Sequence, residues 1–318
     1  MSASSGRPPD PHRRPAASRA PLPARTYTVR RAALLAGALA LAVALAALVA
    51  ALARPSKAAH RPSAQPRASA RRAHAHAHAH GRPPASADAT PSPAQAVASV
   101  LAYTPFVKEG GDRGRDVALT FDDGPGPYTP GVLDVLERMH VHATFFVIGE
   151  MLRYFSASAL RELRDGDVIG DHTETHPEMA LLPAHEQHEE LFEQMARIEL
   201  LGGPRPQLFR PPYGSYDATT MRELRRLHLL MILWSVDTGD YLQPGVSTIA
   251  RRALAGAHPG AIILMHDAGG TRTQTIAALP RIIRGLRARG YDLVTVPQLL
   301  ADDPPPPGLP LPSSLSGD

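Results

Sequence analysis

Five short polar motifs of the sequence each follow an apolar run and carry side chains that could do chemistry. They are TFDDGP at 120–125, DHTETHP at 171–177, RPPYG at 210–214, DTGD at 237–240 and MHD at 265–267. His172 and His176 are four residues apart, which on a helical turn places both imidazoles on one face. Two histidines and one carboxylate can bind a divalent metal ion and leave positions open for water and substrate.

Asp122 and Asp123 indicate how such a metal ion would be used. Two adjacent carboxylates repel each other when both are ionised, and on a continuing strand they point to opposite faces. A metal ion bound by one of them relieves the repulsion, and the other stays free as a base. Gly124 and Pro125 predict a break in the strand that lets both carboxylates face one cavity.

Each motif alone has an ordinary structural interpretation. Asp-Asp-Gly-Pro is typical of a turn, and paired histidines are commonly surface residues. Arg-Pro-Pro commonly forms a rigid loop, and a histidine after a strand is commonly a hydrogen-bonded structural residue. Their conjunction indicates an active site, because all five motifs follow runs that have the length of buried strands.

Seven apolar runs have the character of buried strands, at 117–121, 143–148, 168–170, 207–210, 231–236, 261–265 and 293–296. Amphipathic stretches between them predict helices, one capped by Asp217 and the last ended by Gly290. This alternation predicts an α/β fold with about seven parallel strands, closed into a barrel. Active residues of such barrels lie at the C-terminal ends of the strands, which is where the five motifs stand.

Composition divides the chain into five segments. They are a basic tail at 1–31, an uncharged Ala-rich stretch at 32–53, an Ala/Pro/His-rich linker at 54–102, a catalytic domain at 103–301 and a Pro-rich tail at 302–318. The stretch at 32–53 is long enough to cross about 30 Å of hydrocarbon as a helix. We expect a membrane anchor there, with a cleaved signal segment as the alternative. The tract HAHAHAH at 74–80 is either a transition-metal chelator or a low-complexity part of the linker.

Charge is distributed unevenly along the chain. Residues 1–82 contain 14 Arg and Lys residues against one acidic residue, which leaves 20 basic and 29 acidic residues in 83–318. The predicted domain is therefore acidic, and this argues against a nucleic-acid partner. The chain contains no cysteine, which excludes disulfides, thiolate metal sites and cysteine nucleophiles.

Together the motifs resemble those of the polysaccharide deacetylases, the NodB-homology family of carbohydrate esterases (family 4). The resemblance rests on TFDDGP, HTETHP, RPPYG, WSVDTGD and LMH, in the family's order, over roughly residues 110–300. It implies a distorted (β/α) barrel and one divalent metal ion, commonly zinc, with Co²⁺, Mn²⁺ or Ni²⁺ as alternatives. This chain has Asp171 and Tyr241 where the family often has Asn and Trp, and Tyr241 is expected to alter the wall of the substrate groove.

The resemblance implies a metal centre with a base beside it. The metal ligands would be Asp123, His172 and His176. Asp122 would be the general base that takes a proton from the attacking water. Arg210 would orient that base through charge-assisted hydrogen bonds.

The resemblance also implies an acid and a substrate-binding surface. His266 would be the general acid, and Asp237 would raise its pKa and fix its tautomer. The backbone N–H of Tyr213 would help to hold the oxyanion. Leu264 would line a pocket for the acetyl methyl group, and Pro211 would contact the substrate.

The implied activity is hydrolysis of N-acetyl groups on N-acetylglucosamine-type polysaccharide by a metal-activated water, with peptidoglycan as the expected substrate. The alternatives are an O-acetyl esterase that acts on a xylan-like glycan and a non-catalytic glycan-binding barrel. We expect a monomer on the cell membrane, with one span at 32–53 and the catalytic domain outside. Secretion after cleavage is the alternative location.

Overall fold

A computed structural model of the chain describes residues 91–308 and 310. Within these residues nine strands form one sheet, and all of its strand pairs are parallel. The strands are β1 Phe106–Val107, β2 Asp116–Gly124, β3 Thr144–Val147, β4 Val168–Asp171, β5 Leu208–Phe209, β6 Leu230–Ile232, β7 Val236–Asp237, β8 Ile262–His266 and β9 Asp292–Val294.

The strand order is that of an incompletely closed barrel. It runs β1-β6-β5-β4-β3-β2-β8-β7, and β9 pairs with the first residues of β2. The helices are α1 Pro93–Leu101, α2 Thr129–Met139, α3 Leu152–Asp165, α4 Ala184–Leu200, α5 Ala218–Leu227, α6 Val246–Gly256, α7 Thr273–Ala288 and α8 Val296–Asp302. Three 3₁₀ turns cover Met179–Leu181, Pro212–Gly214 and Asp240–Leu242. The predicted α/β fold, a distorted barrel of parallel strands, is confirmed.

Alternation along β2 determines which of its side chains reach the site. Leu119 and Phe121 belong to the buried cluster between the sheet and its surrounding helices, whereas Ala118 packs in a separate cluster with α1 and α8. Alternate residues of a strand point to opposite faces. Thr120 and Asp122 therefore share the face of Ala118, which is the face that lines the interior of the barrel.

Its composition predicted that the apolar run at 231–236 is one strand, but it is divided between two strands. Its first part is β6, which pairs with β1 and β5, and its last part is β7, which pairs with β8. The chain crosses from one part of the sheet to another through Leu233, which is completely buried. Burial keeps the crossing apolar, so its composition looks like that of a strand. This division and the short β1 account for nine strands where seven were predicted.

The folded domain extends beyond both predicted boundaries. Helix α1 lies within the predicted linker, yet Ala96, Val97 and Val100 on its inner face are buried in the core. A capping box between Ser92 and Gln95 fixes its start, and this is a pattern that the sequence carries. At the other end α8 includes Asp302, the first residue of the predicted Pro-rich tail, and Asp303 is buried.

The described helices include none that is long and apolar enough to cross a membrane. The predicted span at 32–53 and the histidine tract at 74–80 lie outside the described residues. Both therefore stay predictions from sequence.

Candidate active site

A cavity of about 670 Å³ opens where β2, β7 and β8 end, and nine of the ten predicted site residues line it. These nine are Asp122, Asp123, His172, His176, Pro211, Tyr213, Asp237, Leu264 and His266. The tenth, Arg210, lies behind the cavity and is completely buried. The wall is completed by Ile148, Trp234, Tyr241, Gly269 and Arg272. The structure thus brings together predicted site residues that are up to 144 positions apart in the sequence.

A bulge in β2 brings the two adjacent acids to the same cavity. The strand was predicted to end at residue 121, before the two acids, but it continues to Gly124. Its pairing with β3 shifts between Asp122 and Gly124, so Asp123 is left out of the register. Asp123 has a φ of 71°, a conformation that turns its side chain away from the alternation of the strand. The predicted common orientation is correct, but its cause is a bulge within the strand.

Asp123, His172 and His176 form a cluster that fits a divalent metal ion. One ligand atom from each lies within 4.8 Å of the other two, and Asp123 Oδ1 is 3.1 Å from His176 Nε2 and 3.6 Å from His172 Nε2. His172 Nδ1 donates a hydrogen bond of 2.7 Å to the carbonyl of Arg210. This contact leaves the lone pair of Nε2 directed at the cluster, as a metal-binding histidine requires.

The two histidines reach this cluster from a loop, whereas their spacing had indicated a helical turn. Residues 172–177 follow β4 without forming a helix, and Thr173 and His176 have φ values of 67° and 64°. The carboxylate that they contact stays ionised. Burial alone would raise the pKa of Asp123, but its interactions with His172 and His176 outweigh burial and lower this pKa below its usual range.

Asp122 is held by a buried arginine. Arg210 Nη1 donates a hydrogen bond of 2.7 Å to Asp122 Oδ1 and one of 2.8 Å to Thr120 Oγ1. The same guanidinium also donates to the carbonyls of Ile232 and Leu233, at 3.0 and 3.1 Å. Arg210 is therefore fixed by four hydrogen bonds, and it holds one oxygen of Asp122 while the other faces the cluster, 3.9 Å from His172 Nε2.

The partner of His266 is Asp240, and the prediction that it is Asp237 is wrong. Asp240 Oδ1 is 2.8 Å from His266 Nδ1, and its Oδ2 accepts hydrogen bonds from the His266 backbone N–H and from Thr275. Burial alone would lower the pKa of His266, but the bond to Asp240 and its charge raise the pKa to about 9. His266 therefore carries a proton at neutral pH.

Asp237 has a different environment, although it lines the same cavity. It lies on β7, is exposed, and accepts a hydrogen bond of 2.7 Å from the backbone N–H of Gly239. Burial and the charges of Asp237 and Asp240 raise the pKa of the Tyr241 hydroxyl. The ring of Tyr241 lies edge-on to His266, with 5.3 Å between centroids. Tyr241 thus lies at the groove wall, where its replacement of Trp was expected to matter.

Sequence reasoning missed the roles of two residues of this site. Asp240 stands in the DTGD motif. Gly239 has a φ of 59°, which permits the turn that returns the chain to His266. The glycine before Asp240 is therefore the sequence signal that could have identified Asp240 as the partner of His266. Arg272 is almost completely buried in the cavity wall, and its Nη2 is 3.9 Å from Asp123 Oδ2. No feature of the sequence around Arg272 distinguished it from a surface arginine.

Comparison with known proteins identifies the family. The family model described as polysaccharide deacetylase matches residues 109–232. A peptidoglycan-N-acetylglucosamine deacetylase of Bacillus cereus is 36% identical over 58% of this chain and 68% of its own length. A chitooligosaccharide deacetylase of Rhizobium leguminosarum bv. trifolii is 35% identical over 62% of this chain and 97% of its own length.

A solved structure agrees with these relatives. The crystal structure of a peptidoglycan N-acetylglucosamine deacetylase superposes with a TM-score of 0.61 and 34% identity, covering 63% of this chain and 94% of that one. Some relatives are longer, and the chain spans 39% of the length of the peptidoglycan deacetylase of Listeria monocytogenes. The family model, the relatives and the shared fold agree with the geometry of the cavity, and the chain therefore belongs to the polysaccharide deacetylase family and is a polysaccharide deacetylase.

Proposed function

We propose that the chain removes N-acetyl groups from the N-acetylglucosamine residues of peptidoglycan with the help of one bound zinc ion. One observation carries this proposal. A single cavity holds a three-residue metal cluster, a carboxylate fixed by Arg210 on one side and an imidazolium fixed by Asp240 on the other. Hydrolysis of an amide needs both a base and an acid, and these two groups can supply them.

Asp123, His172 and His176 would hold the metal ion. When bound there, a divalent ion polarises the acetyl carbonyl and lowers the pKa of a nearby water. Two imidazole nitrogens and one carboxylate oxygen form a donor set that suits zinc, and Co²⁺, Mn²⁺ and Ni²⁺ bind similar sets. Zinc is proposed here because its sites commonly combine three such ligands with an open position.

Asp122 is the general base in this proposal. Its Oδ1 is occupied by Arg210, so Oδ2 is the oxygen that accepts the proton of the attacking water. The four hydrogen bonds of Arg210 fix the carboxylate before the substrate arrives. A base held in position avoids reorganisation during the reaction, and proton transfer to such a group contributes about 10²–10⁴ in rate.

His266 is the general acid. The bond to Asp240 and its charge raise the pKa of His266 to about 9 in the metal-free chain, which favours a protonated ring. Nδ1 is engaged by Asp240, so Nε2 is the atom that donates the proton. The leaving sugar nitrogen receives this proton as the C–N bond breaks, and acetate is released. Leu264 and Pro211 would contact the acetyl group and the sugar, and the backbone N–H of Tyr213 would donate to the oxyanion.

The location of the enzyme is part of the proposal. An anchor at 32–53 followed by an extended linker would hold the domain outside the membrane, at the distance of a wall polymer. Secretion after cleavage would deliver the domain to the same substrate. The relatives include peptidoglycan and chitooligosaccharide deacetylases, so the nature of the polymer has to be measured.

The test is acetate release by the purified chain after removal of metal and reloading with zinc. Peptidoglycan, N-acetylglucosamine oligomers and acetylated xylan are compared at equal acetyl concentration, with Asp122→Asn as the inactive control. Zinc-dependent release that is fastest from peptidoglycan supports the proposal. Faster release from the oligomers or from xylan contradicts the proposal that peptidoglycan is the substrate. No release by a metal-loaded chain indicates a glycan-binding barrel.

A further inference from the structure

Helix α4 has a stripe of polar residues on the face that it turns toward the barrel. Gln187, Glu190, Gln194 and Arg197 follow one another at intervals of three, four and three, which places them on one side of a helix. Positions with this spacing are normally apolar in a helix that packs on a core. Gln187 and Gln194 are completely buried, so the stripe does not serve solubility.

The loop that this stripe contacts has an unfavourable backbone conformation. Thr173 and His176 both have φ values in the left-handed region, at 67° and 64°. A residue other than glycine in this region is strained, and the conformation persists only where its surroundings impose it. The loop carries both histidines of the metal cluster, so whatever imposes this conformation also positions the imidazoles.

An ion pair between a partly exposed arginine and a buried glutamate, called here the buried pair, joins α4 to the middle of the loop. Arg197 Nε lies 2.8 and 2.6 Å from the two carboxylate oxygens of Glu174, and Arg197 Nη2 lies 2.6 Å from Glu174 Oε1. The side chain of Glu174 is 8% exposed. Gly149 leaves room for this carboxylate, because a Cβ at that position would lie 2.0 Å from Glu174 Oε2. An arginine that grips both oxygens of a carboxylate fixes orientation as well as distance.

Two further residues of the stripe fix the surroundings of the same loop. Glu190 accepts hydrogen bonds from the backbone N–H and the hydroxyl of Thr175, at 2.7 and 2.6 Å. Gln194 donates a hydrogen bond of 3.0 Å to the carbonyl of Val147, the last residue of β3. The residues between the two histidines, Glu174 and Thr175, are thus both held by the same helix.

We propose that Glu190 and Arg197 are positioning residues for the metal centre, because they impose the loop conformation that brings the two imidazoles to Asp123. The inference rests on the proposed metal-dependent function. Groups outside the ligand set that orient the ligands typically change metal affinity by 10- to 100-fold when they are replaced. A merely structural contact between helix and loop would change the stability of the fold and leave the affinity for metal unchanged.

The experiment compares two double variants that each remove one ion pair without changing net charge. Glu174→Gln with Arg197→Met removes the buried pair. Glu199→Gln with Arg205→Met removes an exposed pair at the end of the same helix, in which Arg205 Nη1 lies 3.5 Å from Glu199 Oε1. The dissociation constant for zinc is measured on each metal-stripped chain by competition with a chromophoric chelator, in the absence of substrate.

We expect the buried-pair variant to bind zinc at least tenfold more weakly than the wild type, and the exposed-pair variant to bind zinc within twofold of it. Equal affinity in the two variants overturns the proposal. Glu190→Gln, which weakens the hold on Thr175 and leaves the buried pair intact, decides the matter if the first variant does not fold. An unchanged zinc affinity in Glu190→Gln then overturns it.

These results are separate from those that test the proposed function. A wild-type chain that binds zinc and releases no acetate overturns the proposed function but leaves the positioning role intact. A buried-pair variant that binds zinc normally overturns the positioning role, whatever its activity.

Discussion

Two pairs of buried carboxyl groups in this barrel differ in the groups that they contact. In the cavity, Asp122 is bonded to Arg210 and Asp240 to His266. Glu162 on α3, away from the cavity wall, is completely buried, and neither of its oxygens has a hydrogen-bond partner among the described residues. Asp267 lies one residue after His266, and its Oδ2 is bonded to Thr129 while its Oδ1 has no such partner.

The difference between the pairs is the presence of a cation. Burial alone would raise the pKa of Asp240, but the bond to His266 and its charge lower it. Burial raises the pKa of Glu162 well above its usual range, and the charges of Asp267 and Asp167 add to this effect. Burial likewise raises the pKa of Asp267 to about 7. Burial therefore favours the neutral form of a carboxyl group unless a cation is placed beside it, and the site uses the groups that have one.

The largest effect is expected from replacing the base. Asp122→Asn keeps the shape of the side chain but cannot accept a proton, so we expect acetate release to fall by about 10²–10⁴. The measurement is kcat/KM on N-acetylglucosamine oligomers, with zinc content determined on the same sample. The variant should retain its zinc, because Asp122 is outside the cluster. Because the change leaves the Arg210 charge without its partner, a thermal melt checks that the variant is folded. A folded, zinc-loaded variant with normal turnover would show that Asp122 is not the base.

The next effect is expected from the partner of the acid. Asp240→Asn removes the negative charge that raises the pKa of His266, so this pKa should fall from about 9 in the metal-free chain. Above its pKa the ring has lost the proton that it donates, so the alkaline limb of kcat/KM should move to lower pH. At pH 8 a histidine with the ordinary pKa of about 6.5 is only about 3% protonated, so we expect a loss of about 10- to 100-fold. The His266 titration is followed by NMR, and an unchanged pKa in the variant would contradict the assignment of Asp240.

A smaller effect, on stability rather than activity, is expected from the unpaired group. Because the folded state holds the proton of Glu162 above the pKa of about 4.3 found in unfolded chains, folded protein binds more protons than unfolded protein in that range. Stability contributed by Glu162 is therefore complete below that pKa and is lost as pH rises through the folded-state pKa.

Glu162→Gln removes this dependence. We expect the variant to match the wild type near pH 4 and to be more stable at pH 8, because keeping Glu162 protonated costs the wild type about 1.4 kcal/mol for each pH unit between its unfolded-state and folded-state pKa values. Urea unfolding at both pH values measures the difference, and the exposed substitution Glu186→Gln is the control. If the wild type instead becomes more stable than the variant as pH rises, Glu162 is ionised in the folded protein and interacts with a positively charged partner.

The parts of the site that could be predicted are those in which sequence order and strand direction decide position. Asp122, Asp123 and His266 follow apolar runs, and parallel strands bring their C-terminal ends to one rim. Residue type indicated a metal site of two histidines and one carboxylate, and the resemblance to the deacetylases implied that the carboxylate is Asp123. These inferences need no knowledge of which strand neighbours which.

The parts that could not be predicted depend on contacts between distant segments. The division of the run at 231–236 is set by its pairing with strands on two sides of the barrel. The choice of Asp240 over Asp237 depends on a 3₁₀ turn that begins at Asp240 and returns the chain to β8. Two acids three residues apart in one motif look equivalent in the sequence, and only the fold distinguishes a buried one from an exposed one.

The smallest effect is expected from that exposed acid. Asp237→Asn is the same chemical change as Asp240→Asn, three positions away, but Asp237 is exposed and contacts the backbone N–H of Gly239 and the hydroxyl of Tyr241. An exposed polar contact contributes about 0–1 kcal/mol, so kcat/KM should fall by less than about fivefold and the alkaline limb should stay in place. The two variants are assayed side by side from pH 6 to 10 on the same substrate. If the alkaline limb shifts equally in Asp237→Asn and Asp240→Asn, both carboxylates raise the pKa of His266 in the working enzyme. The contrast between the buried, partnered acid and the exposed acid would then not hold.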